Sequence, residues 1–266
     1  MRVLITGGSR GIGRAIACRF AKERGAHVAI LGRSKSRPSH PTLLGTLNET
    51  ASEIEALGGT AHPFEADLRD ATHFQDTLRD AVCALGGEVD VLVNNASVLS
   101  LERESTPKTM NLLYEVNTRG CLLAIQTCRD ALSRARGSIV TLAPPIRLGR
   151  LEWISQTPAY TISKYSMTLA TLQAADEHVR ANTLWPARMV ATAATRRLEA
   201  VVPGAFVKGR PPSHTAEAVF RVATDRSCTA RSLLDDEVIS PDDPRLHEAP
   251  LDAFVDERFT SDKILC

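Results

Sequence analysis

The sequence contains few lysines and few aromatic residues. Phe, Trp and Tyr make up 5% of it, and its six lysines are Lys22, Lys35, Lys108, Lys164, Lys208 and Lys263. Neither sign of charge is in excess, since 32 basic residues stand against 31 acidic ones. We therefore expect no broad basic surface for nucleic acid or an anionic membrane, and the expected partners are small molecules.

Long apolar runs and paired cysteines are also missing. No segment reaches the length needed to cross a bilayer, and the first predicted strand begins at Arg2, which leaves no room for a signal peptide. The six cysteines include no C-x-x-C pair, and the seven histidines are not spaced as metal ligands. We expect a cytoplasmic protein without disulfides and without zinc or another metal.

A glycine-rich turn near the start of the chain is the strongest positive signal. Residues 2–13 (RVLITGGSRGIG) lead from an apolar strand into a helix through Gly7, Gly11 and Gly13. Glycine adopts backbone angles closed to other residues, and free N–H groups at a helix start attract anions. The pattern predicts a dinucleotide site, in which a side chain at position 13 would obstruct the pyrophosphate. A tight turn without a ligand is the alternative for a glycine cluster on its own.

Strand and helix patterns alternate along most of the chain. After the first strand, further strands are predicted at 27–32, 60–67, 89–94, 138–142, 181–185 and 232–236, and helices at 12–24, 43–57, 71–85, 108–135 and 158–179. This alternation predicts an α/β fold with a single doubly wound parallel sheet, Rossmann-like, and helices on both faces. We expect one domain over residues 1–240, a loop with short helices over the site at 186–213, and an acidic, proline-containing tail over 241–266.

Tyr160 and Lys164 are four residues apart on a predicted helix, so they share one face. A phenol has a pKa near 10, and a neighbouring ammonium favours the phenolate and brings proton transfer within reach at neutral pH. The pair therefore predicts acid/base chemistry for alcohol oxidation or carbonyl reduction. In an arbitrary helix such a pair is more often a surface feature, but here it follows the fifth strand of a chain that opens with a nucleotide-binding turn.

Taken together, these motifs resemble the short-chain dehydrogenase/reductase family from residue 2 to about residue 239. The segments NNAS, VNTRG and AYTISKY and the double proline Pro144-Pro145 are similar to a hydroxysteroid-dehydrogenase-like subgroup, without the sterol-carrier domain that some of its members carry. The resemblance implies hydride transfer between a nicotinamide nucleotide and an alcohol or carbonyl substrate. It also implies a homodimer or homotetramer packed through the two long helices.

The resemblance assigns roles to individual residues. Tyr160 is the implied acid/base, Lys164 supports it and binds the nicotinamide ribose, and Asn117 holds a water in a proton relay with the lysine. The implied cofactor-binding residues lie in the glycine turn, at strand ends, on the catalytic helix and in the loop after the sixth strand: Gly7, Gly8, Ser9, Arg10, Gly11, Ile12, Gly13, Arg33, Asp67, Leu68, Asn94, Asn95, Ala96, Tyr160, Lys164, Pro186 and Thr192.

Two arginines bear on the choice of nucleotide. Arg33 follows the second predicted strand, where NAD-preferring enzymes usually place an acid to hold the ribose 2′-hydroxyl. Arg10 and Arg33 can instead form forked hydrogen bonds with a 2′-phosphate, which favours NADP over NAD. Two solvated arginines are the alternative, because arginine greatly outnumbers lysine in this chain.

One position departs from the family pattern. The family has a serine at the end of the fifth strand that hydrogen-bonds the substrate oxygen, whereas this chain reads IVTLAPP and has Pro144 there, after Ala143. On that strand only Thr141 offers a hydroxyl near the position. Losing such a donor costs roughly a hundredfold in rate, so we expect slow turnover of an apolar substrate. The alternative function is a nucleotide-binding sensor or partner protein with little turnover.

Overall fold

The computed structural model describes residues 1–38, 43–147, 156–199 and 207–239. Its strands form one parallel sheet in the order β3-β2-β1-β4-β5-β6-β7. The strands are β1 Arg2–Thr6, β2 His27–Gly32, β3 Thr60–Glu65, β4 Val91–Asn94, β5 Ser138–Leu142, β6 Arg180–Trp185 and β7 Ser232–Leu234. The strand order reverses between β1 and β4, which places the expected ligand crevice beyond their carboxyl ends. The predicted doubly wound parallel sheet is confirmed.

Helices cover both faces of the sheet. They are α1 Gly11–Ala21, α2 Leu47–Ala56, α3 Ala71–Ala84, α4 Pro107–Leu113, α5 Gly120–Ala135, α6 Pro158–Leu172, α7 Ala193–Leu198, α8 Pro212–Thr224 and α9 Asp235–Val238, with a π-helical segment at Tyr114–Arg119. Successive residues of β1 point to opposite faces, so Val3 and Ile5 pack with α1, α2 and α8, while Leu4 packs with α3, α5 and α6. None of the described helices is long and apolar enough to cross a membrane.

Local side-chain hydrogen bonds determine several helix ends that the sequence periodicity predicts inaccurately. Helix α2 begins at Leu47 rather than at residue 43, because Thr46 and Glu49 form a capping box, with each side chain bonding the other's backbone N–H. Helix α6 ends at Leu172 rather than at residue 179. The Asp176 carboxylate accepts hydrogen bonds from the backbone N–H groups of His178 and Val179, both at 2.8 Å, and these bonds stabilise a turn.

The C-terminal part of the fold also differs from the sequence prediction. The last strand stops at Leu234, because the buried Asp235 begins helix α9 instead of continuing the strand to residue 236. Helix α8 was not predicted from the sequence. The tail predicted at 241–266 lies outside the described residues.

Candidate active site

The glycine turn lies at the carboxyl end of β1. Gly7 and Gly11 have φ angles of 74° and 55°, which residues with a Cβ rarely adopt. The Gly7 and Gly8 N–H groups both donate to Leu31 O, at 2.7 and 3.0 Å, so these two groups are not available to an anion. Helix α1 has no side-chain cap from Arg10 and no acid in its first turn. Its first N–H groups and its dipole therefore fit a phosphate.

Packing within the turn constrains Gly13, in addition to the predicted close approach of the pyrophosphate. A Cβ at this position would lie 2.2 Å from Gly7 O and 2.5 Å from Asn95 Nδ2. The first constraint on position 13 is therefore the packing of the helix start against its own turn, before any ligand is considered.

The end of β4 holds the turn in place. Asn95 Nδ2 donates to Thr6 O at 3.0 Å and to Gly7 O at 3.1 Å. Thr6 Oγ1 accepts the backbone N–H groups of Asn95 and Ala96, at 3.2 and 3.1 Å. Asn94 is 2% exposed, and its Nδ2 donates to Thr141 Oγ1 at 3.3 Å. These bonds fix the frame of the nucleotide site.

Charged residues gather beyond β2 and β3. Burial lowers the pKa of Arg10, and the charge of Arg33 lowers it further. Arg10 donates to Leu43 O, while Arg33 is exposed. Burial raises the pKa of Asp67, but hydrogen bonds from Arg69 outweigh it and hold that pKa below its ordinary value. This region presents two cations beside one carboxylate that already has a partner.

Asn117 is fully buried in the π-helical segment, where the Gly120 N–H bonds Glu115 O, five residues earlier. Its Oδ1 accepts from Val98 N at 2.7 Å, and its Nδ2 donates to Val98 O at 3.0 Å and to Ser163 Oγ at 2.9 Å. Both side-chain atoms thus bond protein groups. The side chain joins the loop after β4 to the helix that carries Tyr160.

The residues after Asn117 hold the loop after β3, which the sequence did not reveal. Arg119 Nη2 donates to Arg69 O at 2.6 Å. A Cβ on Gly120 would lie 2.7 Å from Leu68 Cδ2, so a larger residue at position 120 would displace Leu68. The π-helical segment therefore positions Leu68 and its neighbours, the segment expected at the adenine ring.

Lys164 and Tyr160 occupy one turn of α6, yet the expected effect on the phenol is absent. Lys164 is 3% exposed, and its Nζ donates to Leu142 O at 2.8 Å and lies 5.3 Å from the centroid of the Trp185 ring. Burial lowers the pKa of Lys164 to about 7, against a smaller opposing effect of Cys121. Burial raises the pKa of Tyr160, and a hydrogen bond with the Ser97 hydroxyl lowers it in part. The predicted lowering of the phenol pKa by Lys164 is not found, because burial dominates the pKa of Tyr160 and Lys164 Nζ is directed at Leu142 O.

The end of β5 offers no hydroxyl to the crevice among the described residues. Ala143 is buried, and Pro144 follows it. Thr141 is also fully buried, and its Oγ1 accepts from Thr171 Oγ1 at 2.7 Å as well as from Asn94. Thr141 therefore does not direct its hydroxyl into the crevice. Ser155, the nearest serine ahead of Tyr160, lies outside the described residues.

The loop after β6 packs against the glycine turn. Thr192 caps helix α7, in mutual hydrogen bonds with Thr195. A Cβ on Gly11 would lie 3.3 Å from Thr192 Cγ2, so Thr192 packs against the turn as expected for a residue near the nucleotide. Pro186 is partly buried at the start of this loop.

A buried ionic network anchors the same loop. Asp235, 1% exposed, accepts the Ala187 N–H at 2.7 Å and the Thr215 hydroxyl at 3.0 Å. The sequence had shown no grouping of histidines with other ligands, but His214, Asp235 and Asp236 bring possible metal-ligand atoms within 4.8 Å of one another.

Arg210 lies within this group of possible metal ligands. It bonds Asp236, and its Nη1 lies 3.0 Å from His214 Nε2. Burial raises the pKa of Asp236, but hydrogen bonds with His214 and Arg210 outweigh it and lower that pKa to about 2. Because a guanidinium occupies the group, we interpret it as an ion-pair network that supports the loop.

Comparisons with known proteins identify the family of this chain. The family model described as short chain dehydrogenase matches residues 1–201. Hydroxysteroid dehydrogenase-like protein 2 of Mus musculus is 38% identical over 89% of this chain and 48% of its own length. The protein of the same name from Homo sapiens is 37% identical over 89% of this chain and 57% of its own length. The chain thus spans about half the length of these curated relatives.

Solved structures give the same result. A short chain dehydrogenase of Mycobacterium thermoresistibile is 38% identical, with a TM-score of 0.79 over 89% of this chain and 85% of that one. A short chain dehydrogenase of Mycobacterium paratuberculosis bound to NAD is 25% identical, with a TM-score of 0.69 over 88% of this chain and 95% of that one. This chain belongs to the short-chain dehydrogenase family.

Proposed function

We propose that this protein is an NADP-dependent oxidoreductase that transfers hydride between the nucleotide and an apolar alcohol or carbonyl substrate. The observation that carries the proposal is the meeting of three elements beyond the ends of β1, β4 and β5. The first element is the first turn of α1, which lacks a side-chain cap. The second is the buried Asn117 side chain, which holds Val98, and the third is the turn of α6 that carries Tyr160 and Lys164.

The residues present fit a nicotinamide nucleotide. The N–H groups at Gly11, Ile12 and Gly13 would hold the pyrophosphate, because the first turn of α1 has neither an acid nor a side-chain cap. Arg10 and Arg33 lie close enough for their charges to interact. These like charges repel each other, and a 2′-phosphate bound by both side chains would relieve that repulsion. This supports NADP over NAD.

Further nucleotide contacts follow from the frame of the site. Leu68 and Asp67 would border the adenine, and Asn95, Ala96, Pro186 and Thr192 would border the nicotinamide half. The frame itself is formed by residues of the glycine turn and of the end of β4, namely Gly7, Gly8, Ser9 and Asn94. When bound, the reduced nicotinamide supplies a hydride and the oxidised form accepts one.

Tyr160 would move the proton. In carbonyl reduction its phenol O–H donates a proton to the substrate oxygen, and in alcohol oxidation the phenolate accepts that proton. Burial raises the pKa of Tyr160, so the phenol is protonated at neutral pH, which is the form that carbonyl reduction requires. Lys164 lies one turn further along α6, where it would meet the nicotinamide ribose.

Nucleotide titration and a carbonyl panel test this function. Calorimetry should show tighter binding of NADPH than of NADH, and Arg33→Asp should abolish that preference while the neighbouring Lys35→Asp keeps it. Tyr160→Phe should keep the nucleotide affinity and lose nearly all turnover. Equal affinity of the parent for both nucleotides contradicts the NADP assignment. If the protein binds nucleotide but turns over no substrate of the panel, the result favours the sensor function. The comparisons do not favour that function.

We also propose a cytoplasmic homodimer or homotetramer. The helices expected at the interface carry exposed apolar side chains: Met110 at 50%, Tyr114 at 55%, Ile162 at 64% and Leu169 at 60% exposure. The described cysteines are free thiols, as is usual in a reducing compartment. Light scattering of the parent and of an Ile162→Glu/Leu169→Glu double variant tests the assembly.

A further inference from the structure

Ser163 lies between Tyr160 and Lys164 on α6, and the proposed chemistry gives it no part. It is 4% exposed. Its Oγ accepts a hydrogen bond from Asn117 Nδ2 at 2.9 Å and donates one to Tyr160 O at 2.7 Å. A second hydrogen bond between the π-helical segment and α6, from Thr118 Oγ1 to Ser163 O, is longer, at 3.5 Å. The Ser163 hydroxyl thus connects the buried Asn117 side chain with the backbone of the residue that carries the phenol.

The connection continues from Asn117 to the loop after β4. Asn117 Oδ1 accepts from Val98 N at 2.7 Å, and its Nδ2 donates to Val98 O at 3.0 Å as well as to Ser163 Oγ. Each hydrogen bond in such a chain polarises the next and strengthens it. Val98 follows Ala96 by two residues, in the loop that borders the proposed nicotinamide half of the nucleotide site. The position of the Tyr160 turn relative to that half is therefore linked to Ser163.

Serine is a poor local choice at position 163. Alanine is the better helix former, and a serine hydroxyl that bonds a carbonyl of the preceding turn often bends the helix. Ser166 makes the same kind of bond on the same helix, from its Oγ to Ile162 O at 2.8 Å, but within the described part of the chain its hydroxyl bonds no other segment. The bond with Asn117 distinguishes Ser163 from a serine that only satisfies its own hydroxyl.

We propose that Ser163 is a positioning residue for proton transfer, whose hydroxyl holds the Tyr160 turn of α6 in register with Asn117 and the loop after β4. The inference rests on the proposed function. Hydride and proton transfer need the substrate carbon beside the nicotinamide while the substrate oxygen lies within hydrogen-bond reach of the phenol. Without the Ser163 hydroxyl, this turn of α6 loses its bond to Asn117, and the phenol is held less accurately. The rate of the chemical step should then fall while the nucleotide affinity is retained.

The first test needs neither nucleotide nor turnover. In Ser163→Ala the Asn117 side chain loses a hydrogen-bond partner, so amide hydrogen exchange at Val98 should become up to about tenfold faster. Ser163→Thr, which keeps a hydroxyl, should restore the slow exchange. Ser166→Ala, which removes the matched serine of the same helix, is the control and should leave exchange at Val98 unchanged. Unchanged exchange at Val98 in Ser163→Ala overturns the proposal.

The second test measures the chemical step. At saturating nucleotide, Ser163→Ala should lower kcat about tenfold, with the nucleotide Kd and the substrate KM of the parent, and Ser163→Thr should recover most of the loss. Because Ser163 acts through Asn117, adding Ser163→Ala to an Asn117→Ala variant should lower kcat little further. A Ser163→Ala enzyme with the kcat of the parent, or losses that multiply in the double variant, overturns this proposal alone. A parent without turnover on the panel overturns the proposed function and, with it, any part for Ser163.

Discussion

Replacing Gly13 by alanine tests how the start of α1 packs on the glycine turn. The added Cβ would lie 2.2 Å from Gly7 O, whereas ordinary contact begins at 3.4 Å. The turn and the helix must therefore separate by about 1 Å, against the packing of the buried Ile16 and Phe20 on the same helix. Overpacking of this kind costs about 1–3 kcal/mol. We expect a loss near the upper limit, because the contact is with backbone and the nearby Asn95 Nδ2 is itself hydrogen-bonded.

Nucleotide binding should suffer separately from stability. A shift of about 1 Å takes the N–H groups at the helix start out of hydrogen-bond range of a phosphate. Two such bonds at about 1.5 kcal/mol each weaken binding by roughly a hundredfold.

Urea denaturation without nucleotide and calorimetric titration of NADPH measure the two effects. Gly32→Ala is the matched control, since its Cβ would meet Leu47 Cδ2 at an ordinary 3.5 Å. A Gly13→Ala protein as stable as the parent, with unchanged affinity, would refute the reasoning.

Two further perturbations test the loop anchor and the buried lysine. Asp235→Ala removes the acceptor of two buried donors, the Ala187 N–H and the Thr215 hydroxyl. At about 1–3 kcal/mol for each donor, urea denaturation should show a loss of about 2–6 kcal/mol. Asp235→Asn, which keeps one acceptor oxygen, should show a smaller loss. Because burial lowers the pKa of Lys164 to about 7, the unfolded chain holds this proton above pH 7 while the folded chain releases it. The free energy of unfolding should therefore gain up to about 1.4 kcal/mol per pH unit from this group between pH 7 and 8.5, and Lys164→Met should lack that gain; parallel pH profiles of the two proteins would contradict it.

Much of the fold follows from local patterns. The apolar runs, the glycine turn and the alternation of strands with helices predict the parallel sheet, because burial on both faces and βαβ connection leave few other arrangements. Tyr160 and Lys164 could be selected because they are four residues apart after a recognisable strand, and Asn117 because its segment resembles a family motif. Helix ends were less predictable. They depend on single caps and turns, such as those at Thr46 and Asp176.

The sequence by itself determined the fold class, the glycine turn and the identity of the residues beside the crevice. The tertiary structure alone decided where their polar atoms are directed. Lys164 Nζ bonds Leu142 O, and Thr141 is enclosed within the sheet. Asp235 likewise reaches the loop after β6 from 48 residues away. Such contacts join segments distant in the chain, and their formation depends on how buried donors and acceptors are satisfied together, which no local pattern encodes.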